Sequence, residues 1–176
     1  MRFESTALPG VLVIELDVQE DTRGFFARTF CEEEFAGAGL ALRPRQINLS
    51  HSAKALTLRG MHYQAPPHSE SKVVQCVRGR IFDVALDLRP DSPSCRGWFG
   101  IELAPELRRM VIIPEGCAHG FLTLKDDSDV LYLMGQSYAP EAQRGVRWDD
   151  PAFGIAWPEK PRLLSPRDGS FPDFEP

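Results

Sequence analysis

Apolar positions along the chain come in short runs spaced about every ten residues, most of them alternating with polar ones, which is the pattern of strands rather than helices. Residues 11–18 form an apolar run between Pro9-Gly10 and the turn-like Glu20-Asp21-Thr22-Arg23-Gly24. Residues 73–77 alternate weakly, Arg78-Gly79 predicts a turn, and residues 80–88 follow as a second strand. In that strand Ile81, Asp83, Ala85 and Asp87 face one way, and Phe82, Val84, Leu86 and Leu88 the other, so one buried and one mixed face are expected. Arg89-Pro90-Asp91-Ser92-Pro93 predicts a turn, because proline fixes φ and removes a donor. Residues 98–103, 109–113, 120–124 and 130–137 are further strands. Only residues 31–38, with an acidic first turn, predict a helix. From about Pro158 the chain is Pro-rich and is expected to wrap the surface as irregular structure. The pattern predicts an all-β sandwich or barrel. With no linker, repeat or compositional break, residues 1–176 are expected to form one domain.

Composition narrows the function classes. The 15 prolines among 176 residues suit many strands and turns better than long helices. A net charge of −5 argues against broad nucleic-acid binding, which needs a basic surface, but leaves room for a small anion held by a few cations. No apolar stretch approaches a membrane span, and the N-terminus has no signal-peptide pattern, so a cytoplasmic protein is expected. Cys31, Cys76, Cys95 and Cys117 are widely spaced and contain no CxxC pair, which disfavours a zinc ribbon or a disulfide framework.

Chemistry concentrates around two of the four histidines. His62 lies in Leu58-Arg59-Gly60-Met61-His62-Tyr63-Gln64, where His62 and Gln64 share a face of an extended strand; Lys72 follows ten residues on. His119 lies in Ile113-Pro114-Glu115-Gly116-Cys117-Ala118-His119-Gly120-Phe121, a rigid turn feeding a strand. A metal site would combine both histidines with a carboxylate such as Glu70. An acid–base site would use His62 as a base with a second group across the ligand. His51 and His68 read as structural. Arg59 and Lys72 beside His62 cost desolvation unless an anion sits among them.

On these motifs, together with Asp21-Thr22-Arg23-Gly24-Phe25-Phe26, Tyr138-Ala139-Pro140-Glu141 and Gly145-Val146-Arg147-Trp148-Asp149-Asp150-Pro151, the sequence resembles the dTDP-4-dehydrorhamnose 3,5-epimerase family from about Pro9 to Asp168. The resemblance implies a double-stranded β-helix, the cupin-type jelly roll, with its core at about residues 10–150. It implies a nucleoside-diphosphate 4-keto-6-deoxyhexose as substrate, no cofactor and no metal. His62 matches the general base, Asp168 its carboxylate partner, Lys72 the cation at the ketone oxygen, and Tyr132 the acid on the opposite face. Arg23, Arg59, His119, Gln46, Asn48, Tyr138 and Arg167 match substrate-binding positions. The metal-binding pattern of other cupins is met only in its second half, Pro114 to His119, because Gln64 stands where a second histidine would be.

Three positions depart from the family pattern. Gln19 stands where an aromatic is common, and Arg28 and Gln143 stand where glutamates are usual. A carboxylate accepts only, arginine donates only and glutamine does both. Base preference is therefore open between dTDP and a CDP- or GDP-linked sugar, and epimerisation at one carbon or both is open too. Arg23, Arg59 and Lys72, with Arg28 added, are expected to make a cationic pocket for the diphosphate. The resemblance also implies a homodimer exchanging an N-terminal strand, an exchange that the apolar run at residues 11–16 suits, as it also suits pairing within the chain.

Overall fold

In the computed structural model, residues 1–175 are described. The order is β1 (Arg2–Ser5), β2 (Leu12–Glu15), β3 (Val18–Asp21), β4 (Gly24–Ala27), helix α1 (Glu32–Gly37), β5 (Gln46–Ser52), β6 (Leu58–Gln64) and β7 (Lys72–Arg78). It continues with β8 (Ile81–Asp87), β9 (Trp98–Leu103), β10 (Arg109–Ile113), β11 (Cys117–Thr123), β12 (Ser128–Met134) and β13 (Gln143–Gly145). One antiparallel sheet runs β1-β2-β10-β7-β12-β5, a second runs β13-β6-β11-β8-β9, and β3-β4 is a separate hairpin. Strands distant in sequence alternate between the two facing sheets, which is the jelly roll.

Two-sided burial explains why these strands are so apolar. Val74, Cys76, Ile81, Ala85, Val111, Phe121 and Val130 fill the space between the sheets. On the outer face of the six-stranded sheet, Ile14, Val73, Met110, Ile112 and Leu133 pack under Phe35 of α1. On the outer face of the other sheet, Met61, Val84, Leu86 and Ala118 pack against Val146 and Phe153, with Trp157 and Phe174 at the margin. Each fully buried aliphatic or aromatic side chain contributes roughly 1.5–3 kcal/mol.

The structure redraws several expectations. The run at residues 11–18 is split into β2 and β3, and β2 is hydrogen-bonded on both sides, to β1 and β10, so it is not a free edge. The strand bearing His119 starts three residues early, at Cys117, so His119 sits within β11 rather than in the turn before it. The mixed face of β8 is fully buried: Asp83 and Asp87 are about as inaccessible as Ile81. Asp87 is satisfied there by Arg89, Ser92 and Ser94, which pin the following loop. The short strands β1, β4 and β13 carried too little alternation to be read in advance, whereas β5, seven residues long with Ile47 and Leu49 alternating against polar neighbours, carried the pattern and was missed. Beyond β13 the chain is irregular, as expected, but it does more than cover the surface. Leu163 bridges Thr57, and Asp168 is carried inward until it is only 4% exposed.

Candidate active site

The conformation of β6 makes the site possible. Opposite β11, His62 pairs with His119 while Arg59 pairs with Phe121, so Gly60 and Met61 of β6 stand opposite the single Gly120 of β11. The extra residue is a bulge, and it brings Arg59 and His62 to the same face, where simple alternation would separate them. Glycine permits it. Gly60 has φ +127°, and a Cβ there would stand 2.5 Å from Gly120 Cα and 2.8 Å from the His119 carbonyl oxygen.

Between the sheets lies a cavity of about 250 Å³, lined by Gln46 and Asn48 of β5, His62, Tyr63 and Gln64 of β6, and Lys72 of β7. His119, Tyr132, Met134, Tyr138, Gln143 and Glu70 complete it. A larger hollow of about 420 Å³ runs along the β3–β4 hairpin, but its lining contains no histidine, so chemistry selects the smaller cavity.

His62 is the most defined group. Its Nε2 lies 2.7 Å from Asp168 Oδ1, and Asp168 Oδ2 accepts from the Gly60 N–H at 3.3 Å. With Nε2 donating to the carboxylate, Nδ1 is left as the basic nitrogen. Burial alone would raise the Asp168 pKa. The hydrogen bond and charge of His62, with help from the Gly60 N–H and Ser165, outweigh it and hold the group below the usual carboxylate value.

A second pair backs the first. His119 Nε2 lies 2.7 Å from Asp83 Oδ2, and both residues are buried. The other Asp83 oxygen has no partner among the described residues. Tyr132, on the facing sheet, meets the His119 ring edge-on with centroids 5.8 Å apart. Burial pushes the Tyr132 phenol far above its ordinary pKa. The nearby Asp83 charge adds to this and Arg59 opposes it. The phenol therefore holds its proton at neutral pH.

Lys72 is buried, with Nζ 2.8 Å from Glu70 Oε1. Gln64 donates to Glu70 Oε2 at 3.0 Å and accepts from the Ala139 N–H at 2.7 Å. Both ends of Gln64 are thus structural ties, and Glu70 serves the lysine. Among the described residues, no group of three or more His, Cys, Asp or Glu is disposed to hold a metal. At the mouth, Gln143 Oε1 accepts from Tyr138 Oη at 2.8 Å and from Arg167 Nη1 at 2.6 Å. Gln46 Oε1 accepts the Tyr138 N–H at 2.6 Å. Asn48 pairs across the sheet with Tyr132.

The expected cationic pocket is only partly assembled within one chain. Arg59 lies near Tyr132 but outside the cavity lining, donating to Ser52 Oγ and the His51 carbonyl. Arg23 pairs with Asp21 on the hairpin, and Arg28 pairs with Glu34 at 2.8 Å; neither lines the cavity. Lys72 is already matched by Glu70. Asp83 was missed in the sequence as a site residue, although an acid sharing the Ile81–Ala85 face of a buried strand is the signal that could have found it. Tyr63 and Met134 carry no such signal.

Sequence and fold both match known proteins of one family. The family model for dTDP-4-dehydrorhamnose 3,5-epimerase matches residues 5–176. A protein of that name from Methanothermobacter thermautotrophicus is 46% identical over 157 residues, covering 89% of this chain and 84% of the relative. The crystal structure of the Bacillus anthracis dTDP-4-dehydrorhamnose 3,5-epimerase with TDP and PPi bound superposes with a TM-score of 0.95 at 34% identity, covering 98% of this chain and 99% of that one. A 3′-monoepimerase from Streptomyces bikiniensis, in complex with dTDP-quinovose, superposes with a TM-score of 0.90 at 34% identity, covering 97% and 86%. By sequence along nearly its whole length and by its jelly-roll fold, the chain belongs to the dTDP-4-dehydrorhamnose 3,5-epimerase family of isomerases.

Proposed function

We propose that the protein converts dTDP-4-dehydro-6-deoxy-D-glucose to dTDP-4-dehydro-L-rhamnose by inverting C3 and C5, with His62 as base and Tyr132 as acid. The C3 and C5 protons flank the C4 ketone. When His62 Nδ1 takes one, the C–H electron pair moves toward the carbonyl and leaves an enolate with negative charge on O4. Lys72 stabilises that oxygen, and its ion pair with Glu70 holds the side chain in place. The Tyr132 phenol returns a proton to the carbon from the opposite face, which inverts it, and proton exchange with water restores the phenol and the neutral imidazole before the second carbon reacts. Each proton-transfer group contributes about 10²–10⁴-fold in rate. Asp168 holds the imidazole in one tautomer and stabilises the imidazolium. The ketone itself acidifies both protons, so the scheme calls for no cofactor.

The observation that carries this reading is the 2.7 Å pairing of His62 with Asp168 on the wall facing Tyr132. Turnover in deuterium oxide, followed by NMR, tests it: deuterium is expected at both C3 and C5, and its absence from both would defeat the assignment. Exchange at one carbon alone would select the second reading, monoepimerisation, which the Streptomyces bikiniensis relative favours. Thymidine is supported by the TDP of the Bacillus anthracis relative. Turnover of dTDP-, CDP- and GDP-linked keto sugars side by side checks it, with Gln143 the departure that lies in the cavity itself.

The working unit is proposed to be a homodimer of single-domain chains. Phe25 and Phe26 on the hairpin are 58% and 68% exposed, and Ile47 and Leu49 on the edge strand β5 are 66% and 63% exposed. Apolar side chains displayed together at this level mark an interface. The hairpin would carry Arg23 and Arg28 toward the neighbour's cavity, supplying the cations that one chain leaves outside. Four free cysteines suit a reducing cytoplasm. No helix among the described residues is long and apolar enough to cross a membrane.

A further inference from the structure

The segment that delivers Asp168 also delivers an aromatic ring to His62. Three residues after Asp168, Phe171 meets the imidazole edge-on, with ring centroids 6.3 Å apart at 70°. That separation and angle fall in the favourable range for edge-to-face aromatic contacts. The strand beside His62 is shaped to admit the ring. Gly145 of β13 pairs directly with His62, and a Cβ there would stand 2.3 Å from Phe171 Cζ and 2.5 Å from Cε2. The segment is anchored on both sides of the contact. Asp168 N–H donates to Ser165 Oγ at 3.1 Å, and Phe174 N–H donates to Asp150 Oδ2 at 2.6 Å while the Phe174 ring packs on Phe153.

We infer that Phe171 is a positioning residue for His62, holding the imidazole plane so that Nε2 stays on Asp168 while Nδ1 faces the cavity. A hydrogen bond to one carboxylate oxygen fixes the position of Nε2 but leaves the ring free to rock about that contact. A second contact, against the ring rather than its nitrogens, removes this freedom. Phe171 makes it without competing for either nitrogen, and its apolar edge limits water at the His62–Asp168 pair. The functional consequence rests on the epimerase reading, in which Nδ1 is the base. The structural part, a single held tautomer, does not depend on it.

The test uses ¹⁵N-histidine-labelled full-length protein and long-range ¹H–¹⁵N NMR at about pH 8, where imidazole is neutral. Wild type is expected to hold His62 in the Nε2–H tautomer. Phe171→Ala is expected to show a mixture, and Phe171→Leu to restore most of the single form. In turnover, Phe171→Ala is expected to lower kcat about tenfold with KM within about twofold, since the substrate still binds but the base is misaligned. Phe171→Leu should recover to within about threefold of wild type. Phe174→Ala is the comparison: it loosens the same segment away from His62 and should lower Tm while leaving the tautomer single. The proposal is overturned if Phe171→Ala keeps the single tautomer and wild-type kcat, or if Phe174→Ala reproduces its effects. Should wild type fail to exchange deuterium into the keto sugar, the epimerase reading falls, while the tautomer comparison still decides the role of Phe171.

Discussion

Removing the Tyr132 hydroxyl separates the two halves of an inversion. Tyr132→Phe keeps the ring against His119 and keeps His62 on Asp168, but it takes away the hydroxyl proposed as the proton donor. Proton removal then continues without return from the opposite face. Deuterium is expected to enter C5 with retained configuration while epimerised product falls by about 10²-fold or more. NMR of the recovered sugar checks this, and normal inversion would remove Tyr132 from the assignment. Asp168 gives a complementary prediction in stability. Its folded-state pKa is held below the unfolded value of about 3.9, so its stabilisation is complete above that value and is lost as pH falls through the folded one. Urea midpoints measured from pH 6 downward should therefore drop more steeply in wild type than in Asp168→Asn, which has no such proton to take up.

At the scale of elements, β6 is where sequence pattern and structure diverge in an instructive way. The shared face of His62 and Gln64 follows from alternation, and β7, β8 and β10 are legible as apolar runs because they are buried on both faces. Alternation does not place Arg59 and His62 together. They are three apart, and only the bulge at Gly60, set by close backbone approach to Gly120, returns them to one face. A pairing over 106 residues, such as His62 with Asp168, has no local signature at all; only the family resemblance connected them. Gly60→Ala tests the bulge. Its Cβ would meet backbone on β11 at an already positive φ, so a loss of roughly 2 kcal/mol or more in urea unfolding is expected, together with displacement of His62. A neutral substitution would show that β6 can straighten, and that the shared face of Arg59 and His62 is not fixed by Gly60.

Across the whole molecule, the question is where the positive charge for a diphosphate comes from. One chain places Lys72 inside and Arg59 near Tyr132, but its Arg23 lies on the hairpin, 88% exposed at the side chain and, among the described residues, paired only with Asp21. The cavity of about 250 Å³ is also smaller than the ~300–1,000 Å³ typical of ligand pockets, as expected for a site that another surface completes. If the hairpin of one protomer serves the cavity of its partner, Arg23 and His62 act in the same site from different chains. Arg23→Ala and His62→Asn would then each be strongly impaired alone. Mixed after dissociation and reassembly in equal amounts, half the dimers are heterodimers, each holding one site with both residues intact, so about a quarter of wild-type activity should return. Action within one chain would restore nothing, because every site would then lack one of the two. Ile47→Glu with Leu49→Glu adds the physical counterpart, placing charge on the exposed face of β5. Sedimentation should show a monomer, and complementation between the two variants should disappear with the dimer.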